Sequence, residues 1–172
     1  MKKITFILLA LISGTVFAQT GETAQNDGTA SATANVNAEI VTPITIADGT
    51  DLNFGSIVAA EGGTVTVNTE GTRSFTNSNM EVITSTEITA ASFNVTAANQ
   101  YSYSITIPAI DLTGNGSTMA VSFSQDLEGE TDGTATGSGS AQSLKVGGTL
   151  TVASGQTAGD YSGEVEVTVA YE

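Results

Sequence analysis

Apolar and polar side chains alternate along most of this chain, and the last dozen residues set the pattern. Tyr161, Val165, Val167, Val169 and Tyr171 share one parity, while Ser162, Glu164, Glu166, Thr168 and Ala170 share the other. Successive side chains of a strand point to opposite faces, so a strand gathers the five apolar groups on one side and leaves the other to water. A helix would scatter them around its circumference. The spacing therefore predicts a half-buried terminal strand over residues 161–172.

The same alternation recurs toward the N-terminus. Ala34, Val36, Ala38 and Ile40 predict a first strand, with Pro43 placing it at a sheet edge or bending it there because proline has no amide to donate. Ile44 and Ile46 resume the pattern, and Asp48-Gly49 marks a turn. Between Leu52 and Val58, Leu52 and Phe54 share a face but Ile57 has the wrong parity, and Gly55 stands where a bulge would restore the register. Glu61-Gly62-Gly63 turns the chain into a strand with Val65 and Val67, and Gly71 turns it again before Arg73 and Phe75. Met80 to Thr89 shows no clear period.

Phe93, Val95 and Ala97 alternate on one strand, and Tyr101, Tyr103, Ile105 and Ile107 on the next. The short link Ala98-Asn99-Gln100 predicts a hairpin between them. Pro108 ends the second strand. Leu112 to Gly116 reads as a loop, and Met119, Val121 and Phe123 as the next core face. Gln125 to Ser140, rich in glycine and acids, reads as a long surface loop. Leu144 and Val146 begin a strand that Gly147-Gly148 interrupts and that Leu150 and Val152 continue; Ala153 to Asp160 then returns the chain to its terminal strand. Strands every 8 to 12 residues or so with turns between predict a sandwich or barrel. The expected fold is all-β: one immunoglobulin-like sandwich of about eight to ten antiparallel strands over residues 34–172.

The N-terminus has a different character. Lys2 and Lys3, the apolar run Ile4 to Ile12, and Val16-Phe17-Ala18 form a secretory signal, with cleavage expected after Ala18. The run is too short for a spanning helix, which needs about 20 apolar residues. Residues 19–33 form a polar, flexible tail. The mature chain is thus expected outside the inner membrane, in the periplasm, at the cell surface or extracellular, with no transmembrane span.

Charge and inventory narrow the functions. Losing the two leader lysines takes the formal charge from −14 to −16, with only Arg73 and Lys145 positive. Such a surface repels phosphate backbones, so nucleic acid is not expected as a partner. The chain contains neither cysteine nor histidine. That removes the histidine base, the thiol nucleophile and the common zinc sites. Carboxylates such as Glu164 and Glu166 sit as an exposed strand face does, and Lys145 alternates between Leu144 and Val146 and points to solvent. No residue is assigned a catalytic, cofactor or metal role, and the chain is expected not to be an enzyme.

Two binding readings stay open. Asp126, Glu128, Glu130 and Asp132, followed by Gly133, offer hard oxygens for calcium, although position twelve of the run is Gly137 where a helix-flanked calcium loop closes with glutamate. The other reading of that run is a solvated acidic loop. A glycan site would need aromatic platforms; Phe54, Phe75, Phe93, Phe123, Tyr101, Tyr103, Tyr161 and Tyr171 mostly fall on apolar parities and are expected in the core. A membrane barrel would need long outward apolar strands and aromatic girdles, where these strands are short and rich in Thr, Ser and Ala.

Three segments carry a family likeness: Thr33 to Ile46, the stretch LNFGSIVA followed by EGGTVTV (Leu52 to Val67), and Leu144 to Glu172, which reads LKVGGTLTVASGQTAGDYSGEVEVTVAYE. Through them the chain resembles the bacterial exported domain of unknown function 4402 and, more distantly, spore coat protein U and chaperone–usher pilus subunits. The first resemblance implies export but no activity and no site residue. The second implies a surface sandwich, sometimes completed by a neighbour's strand. Two departures count against it: the cysteine pair of those relatives is missing, and the tail lacks a row of large alternating hydrophobes. The expected function is a non-catalytic structural or cell-surface protein acting through an unknown protein partner or self-association. The alternatives are a pilus-like subunit assembled by strand exchange, or a weak calcium- or glycan-binding module.

Overall fold

The structure is a computed structural model of the 172-residue chain and describes residue 29 and residues 31–82, 87–127 and 133–172. The expected leader, most of the tail, and Glu128, Glu130 and Asp132 lie outside the described residues, as does part of the period-less stretch after Met80. The chain divides into two units, Met1–Ala38 and Glu39–Glu172. The described part of the first has no regular secondary structure. The described residues of the second form ten strands: β1 (Thr45–Asp48), β2 (Gly63–Val67), β3 (Arg73–Phe75), β4 (Ala91–Thr96), β5 (Ser102–Thr106), β6 (Ile110–Gly114), β7 (Ser117–Gln125), β8 (Thr134–Thr136), β9 (Ala141–Val152) and β10 (Thr168–Tyr171). One short 3-10 turn, Ser78–Met80, interrupts them, and no helix among the described residues is long and apolar enough to cross a membrane.

All pairings are antiparallel, and the strands form two sheets in a sandwich-like arrangement. The larger sheet is built on β9. Val146 pairs with both Ala91 of β4 and Gln125 of β7, and Leu150 with both Val65 of β2 and Val121 of β7. One edge of β9 therefore carries β7, while the other carries β4 over its first half and β2 over its second. Gly147-Gly148 lies at this handover without interrupting the strand, contrary to expectation. A methyl group on Gly147 would come 2.5 Å from the Val67 carbonyl oxygen, and one on Gly148 would come 2.8 Å from Leu52 Cδ2. The glycines are there because two other parts of the chain press against β9, not because it turns. The smaller sheet has the order β10-β5-β8.

Two apolar clusters fill the interior. In the first, Ala91, Val95, Ala97, Leu144 and Val146 of the larger-sheet side pack with Tyr103, Ile105 and Ala135 of the smaller sheet. In the second, Val65, Val67, Val121, Leu150 and Val152 pack with Phe54 and Met80 from irregular chain. Burying each Val or Leu side chain stabilises the fold by about 1.5–3 kcal/mol. The buried side chains are the ones that parity assigns to the core in β2, β4, β5, β7 and β9.

Five expectations need correction. The strand expected over Ala34–Ile40 is absent: Val36 is 92% and Ile40 96% exposed, because alternation becomes a strand only where another backbone offers its hydrogen bonds. Leu52–Val58 is a bent segment with two isolated bridges, Asn53 to Thr89 and Ile57 to Glu81. Gly55, at φ 70°, does place Ile57 with Leu52 and Phe54 against the second cluster, but by a turn that the Asn53 side chain closes by accepting the Gly55 N–H at 2.8 Å. β4 and β5 form no hairpin: they lie in opposite sheets, linked by an arch with Gln100 at φ 67°, because both have an apolar face to bury in the same cluster. Leu112–Gly114 belongs to strand β6, which meets β7 through the two-residue turn Asn115-Gly116, both at positive φ. The expected loop from Gln125 to Ser140 contains β8, held by the burial of Ala135.

Candidate functional site

The terminal segment keeps its expected parity but pairs only in part. Tyr161, Val165, Val167, Val169 and Tyr171 are half-buried and the residues between Ser162 and Ala170 on the other parity are exposed, yet β10 begins only at Thr168. Residues 163–167 have no backbone partner among the described residues. Beside them runs β1, an edge strand of the larger sheet, whose one strand partner among the described residues is β4. Between these two unpaired edges lies an open cleft of about 520 Å³, lined by Ile46 and Asp48 of β1, Phe93 of β4, and Glu164 to Val167. Ile46, Phe93 and Val167 also pack on the first core cluster, so the floor of the cleft is continuous with the interior. Asp48, Glu164 and Glu166 stand exposed around it.

One end of this region is tied down. The Tyr171 hydroxyl accepts the Ala98 N–H at 2.7 Å and donates to the Thr42 carbonyl at 3.0 Å, and the Tyr171 ring meets Tyr101 edge-on at 6.0 Å. The Tyr101 hydroxyl bonds to Glu39, which together with burial raises its pKa above the ordinary phenol value. The other end is braced at Tyr161, whose hydroxyl donates to Thr157 O at 2.8 Å and accepts from Gln156 Nε2 at 3.1 Å. The unpaired run thus spans two tyrosine anchors.

A second, polar cleft of about 420 Å³ is lined by Thr50, Thr69, Glu70, Ser92, Ser143 and Lys145 among others. Two of its hydroxyls are engaged locally: the Thr50 hydroxyl lies 3.1 Å from Ala90 O and 3.0 Å from Ser92 Oγ. Lys145 is exposed between buried Leu144 and Val146, as its parity predicts.

The other charged candidates do structural work. Asp126 Oδ1 accepts the Lys145 backbone N–H at 2.7 Å, so this member of the acidic run holds β9. Among the described residues, no group of three or more carboxylates is placed to hold a metal. Arg73, which composition marks only as a rare cation, donates to the Phe54 and Ser56 carbonyls at 2.8 and 3.0 Å and stacks 4.7 Å above Phe75. It braces the bend that Gly55 makes. Glu61 Oε2 accepts from the side-chain amides of Asn77 and Asn79 at 2.9 and 3.0 Å, and these two donors hold its pKa below the ordinary value of 4.5. Neither role has a signal in the sequence, since both depend on which loops meet. The eight aromatics among the described residues are buried or half-buried.

No curated protein and no solved structure matches this chain. A family model described as a domain of unknown function (DUF4402) matches residues 44–171, a span that begins just before β1 and ends with β10. By that match across most of its length, and in agreement with the likeness of its glycine-marked segments, the chain belongs to the DUF4402 family.

Proposed function

We propose that this protein is an exported, non-catalytic structural component of the periplasm or cell surface that works by contact with another protein. The observation that carries the reading is the cleft between β1 and residues 163–167. It is open and apolar-floored, and it is flanked by residues 163–167, whose backbone has no partner among the described residues, and by the outer edge of β1. Unpaired sheet edges recruit other chains by strand addition. Two further features support it. The sequence opens on a stretch with the pattern of a secretory leader and contains neither histidine nor cysteine, and no charged side chain is buried among the described residues. The test expresses the full chain in its host with a photo-crosslinking residue in place of Val165, followed by fractionation and irradiation. The expected product starts at Gln19, lies outside the inner membrane and forms a discrete protein adduct. Unprocessed cytosolic chain, or processed chain without an adduct, overturns the reading.

A further inference from the structure

We infer that the unpaired edge at residues 163–167 is a docking site for an extended partner segment that alternates basic and apolar side chains. The argument starts from register. A strand laid beside Gly163–Val167 continues the pleat, so its side chains on one parity fall next to Val165 and Val167 and those on the other next to Glu164 and Glu166. The inward parity meets Ile46, Phe93, Val165 and Val167, a floor that only apolar side chains cover without stranding a polar group. The outward parity meets two exposed carboxylates two residues apart, with Asp48 across the cleft. Opposite charges directly across a strand pair stabilise it and like charges destabilise it.

Charge also decides against a second copy. The protein's own exposed alternating segment, Thr33 to Val41, carries no cation and one carboxylate, Glu39, in a chain of net charge −14. Glu164 and Glu166 therefore repel that segment of a second copy, as charged residues on sheet edges commonly do, while admitting a basic one. The inference deepens the contact function proposed above. It takes from that reading only the idea that the edge has a protein partner.

The test uses purified mature protein, so its outcome does not depend on whether fractionation finds the chain exported. Four synthetic nine-residue peptides serve as probes: alternating lysine and valine, the same composition in two blocks, alternating glutamate and valine, and the chain's own residues 33–41. Affinity is read by calorimetry and the docking position by amide hydrogen exchange. The alternating basic peptide is expected to bind at least tenfold more tightly than the block peptide and to protect the amides of residues 163–167. The double substitution Glu164→Gln with Glu166→Gln, on exposed positions, is expected to weaken that binding about fivefold while leaving the melting temperature unchanged. Equal binding of the block peptide would reduce the site to diffuse charge attraction and overturn the inference. So would tighter binding of residues 33–41, which would make the occupant a second copy, and so would protection elsewhere or no binding by any probe.

Discussion

Tyr171 and Ala98 are joined by a 2.7 Å hydrogen bond from a backbone amide to a phenol oxygen, 73 residues apart in sequence. The same oxygen holds Thr42 in front of β1. One side chain at the end of the last strand thus ties the arch between the sheets to the entry of the first strand. Tyr171→Phe is expected to cost about 1–2 kcal/mol, because the Ala98 amide loses its acceptor in a half-buried place. Urea denaturation should show the lower midpoint with an unchanged slope, and hydrogen exchange should show the Ala98 amide opening.

Tyr103 behaves in the opposite way. Its ring is fully buried in the first cluster and its hydroxyl has no hydrogen-bond partner among the described residues. Tyr103→Phe removes that desolvated hydroxyl with little change of shape, and is expected to leave stability equal or raise it by about 1 kcal/mol.

Tyr103 also sets an alkaline limit. Burial raises its pKa above the ordinary phenol value of 10.0, so the folded state holds its proton at pH values where the unfolded chain has released it. Its contribution is intact below the unfolded pKa and is lost as pH rises toward and through the folded one. Stability should therefore fall from about pH 10 upward, and Tyr103→Phe should flatten that fall, as thermal melts across pH 8 to 11 would show.

At Gly147 an added methyl group meets backbone, which cannot rotate away. Gly147→Ala is expected to cost about 1–3 kcal/mol, as overpacking of a close-packed site does. Leu144→Ala, three residues earlier and fully buried, should cost about 2–5 kcal/mol through the cavity it leaves. Val36→Thr, in the exposed segment, should stay within about 0.5 kcal/mol. The ordering of the three midpoints checks the assignment of core and surface.

Glu61 titrates below its ordinary value because two amides donate to its carboxylate. Carbon-detected NMR titration should place its midpoint below 4.5, and Asn77→Ala with Asn79→Ala should move it up. The sign follows from the depressed pKa: the stabilisation is present above the unfolded value and disappears as pH falls through the folded one.

Parity alone located the core faces of β2, β4, β5, β7 and β9: β2, β4, β5 and β9 each place two or more buried apolar groups on one parity, and β7 buries Val121 between half-buried Met119 and Phe123. It misled at Ala34–Ile40, where the pattern exists but no neighbouring backbone joins it. It was silent at β8, three residues long with one buried alanine. Asn115-Gly116 was a readable hairpin signal between Ile110 and Leu112 on one side and Met119 and Val121 on the other, and would have recovered β6. The cleft was only half legible. Glu164 and Glu166 read correctly as an exposed face, but nothing local says that pairing starts at Thr168, because the position of β5 decides that.

The strand that organises the larger sheet comes late. β9 spans Ala141–Val152, whereas the partners it joins, β2, β4 and β7, are complete by Gln125. Whatever delivers the chain from its N-terminus, a ribosome or a translocation channel, releases some 140 residues whose central ladder has nothing to close on. Those residues remain threadable until the last fifth arrives, and closure then draws three earlier strands together at once. Contacts so distant form slowly, so the chain has a built-in delay between emergence and folding.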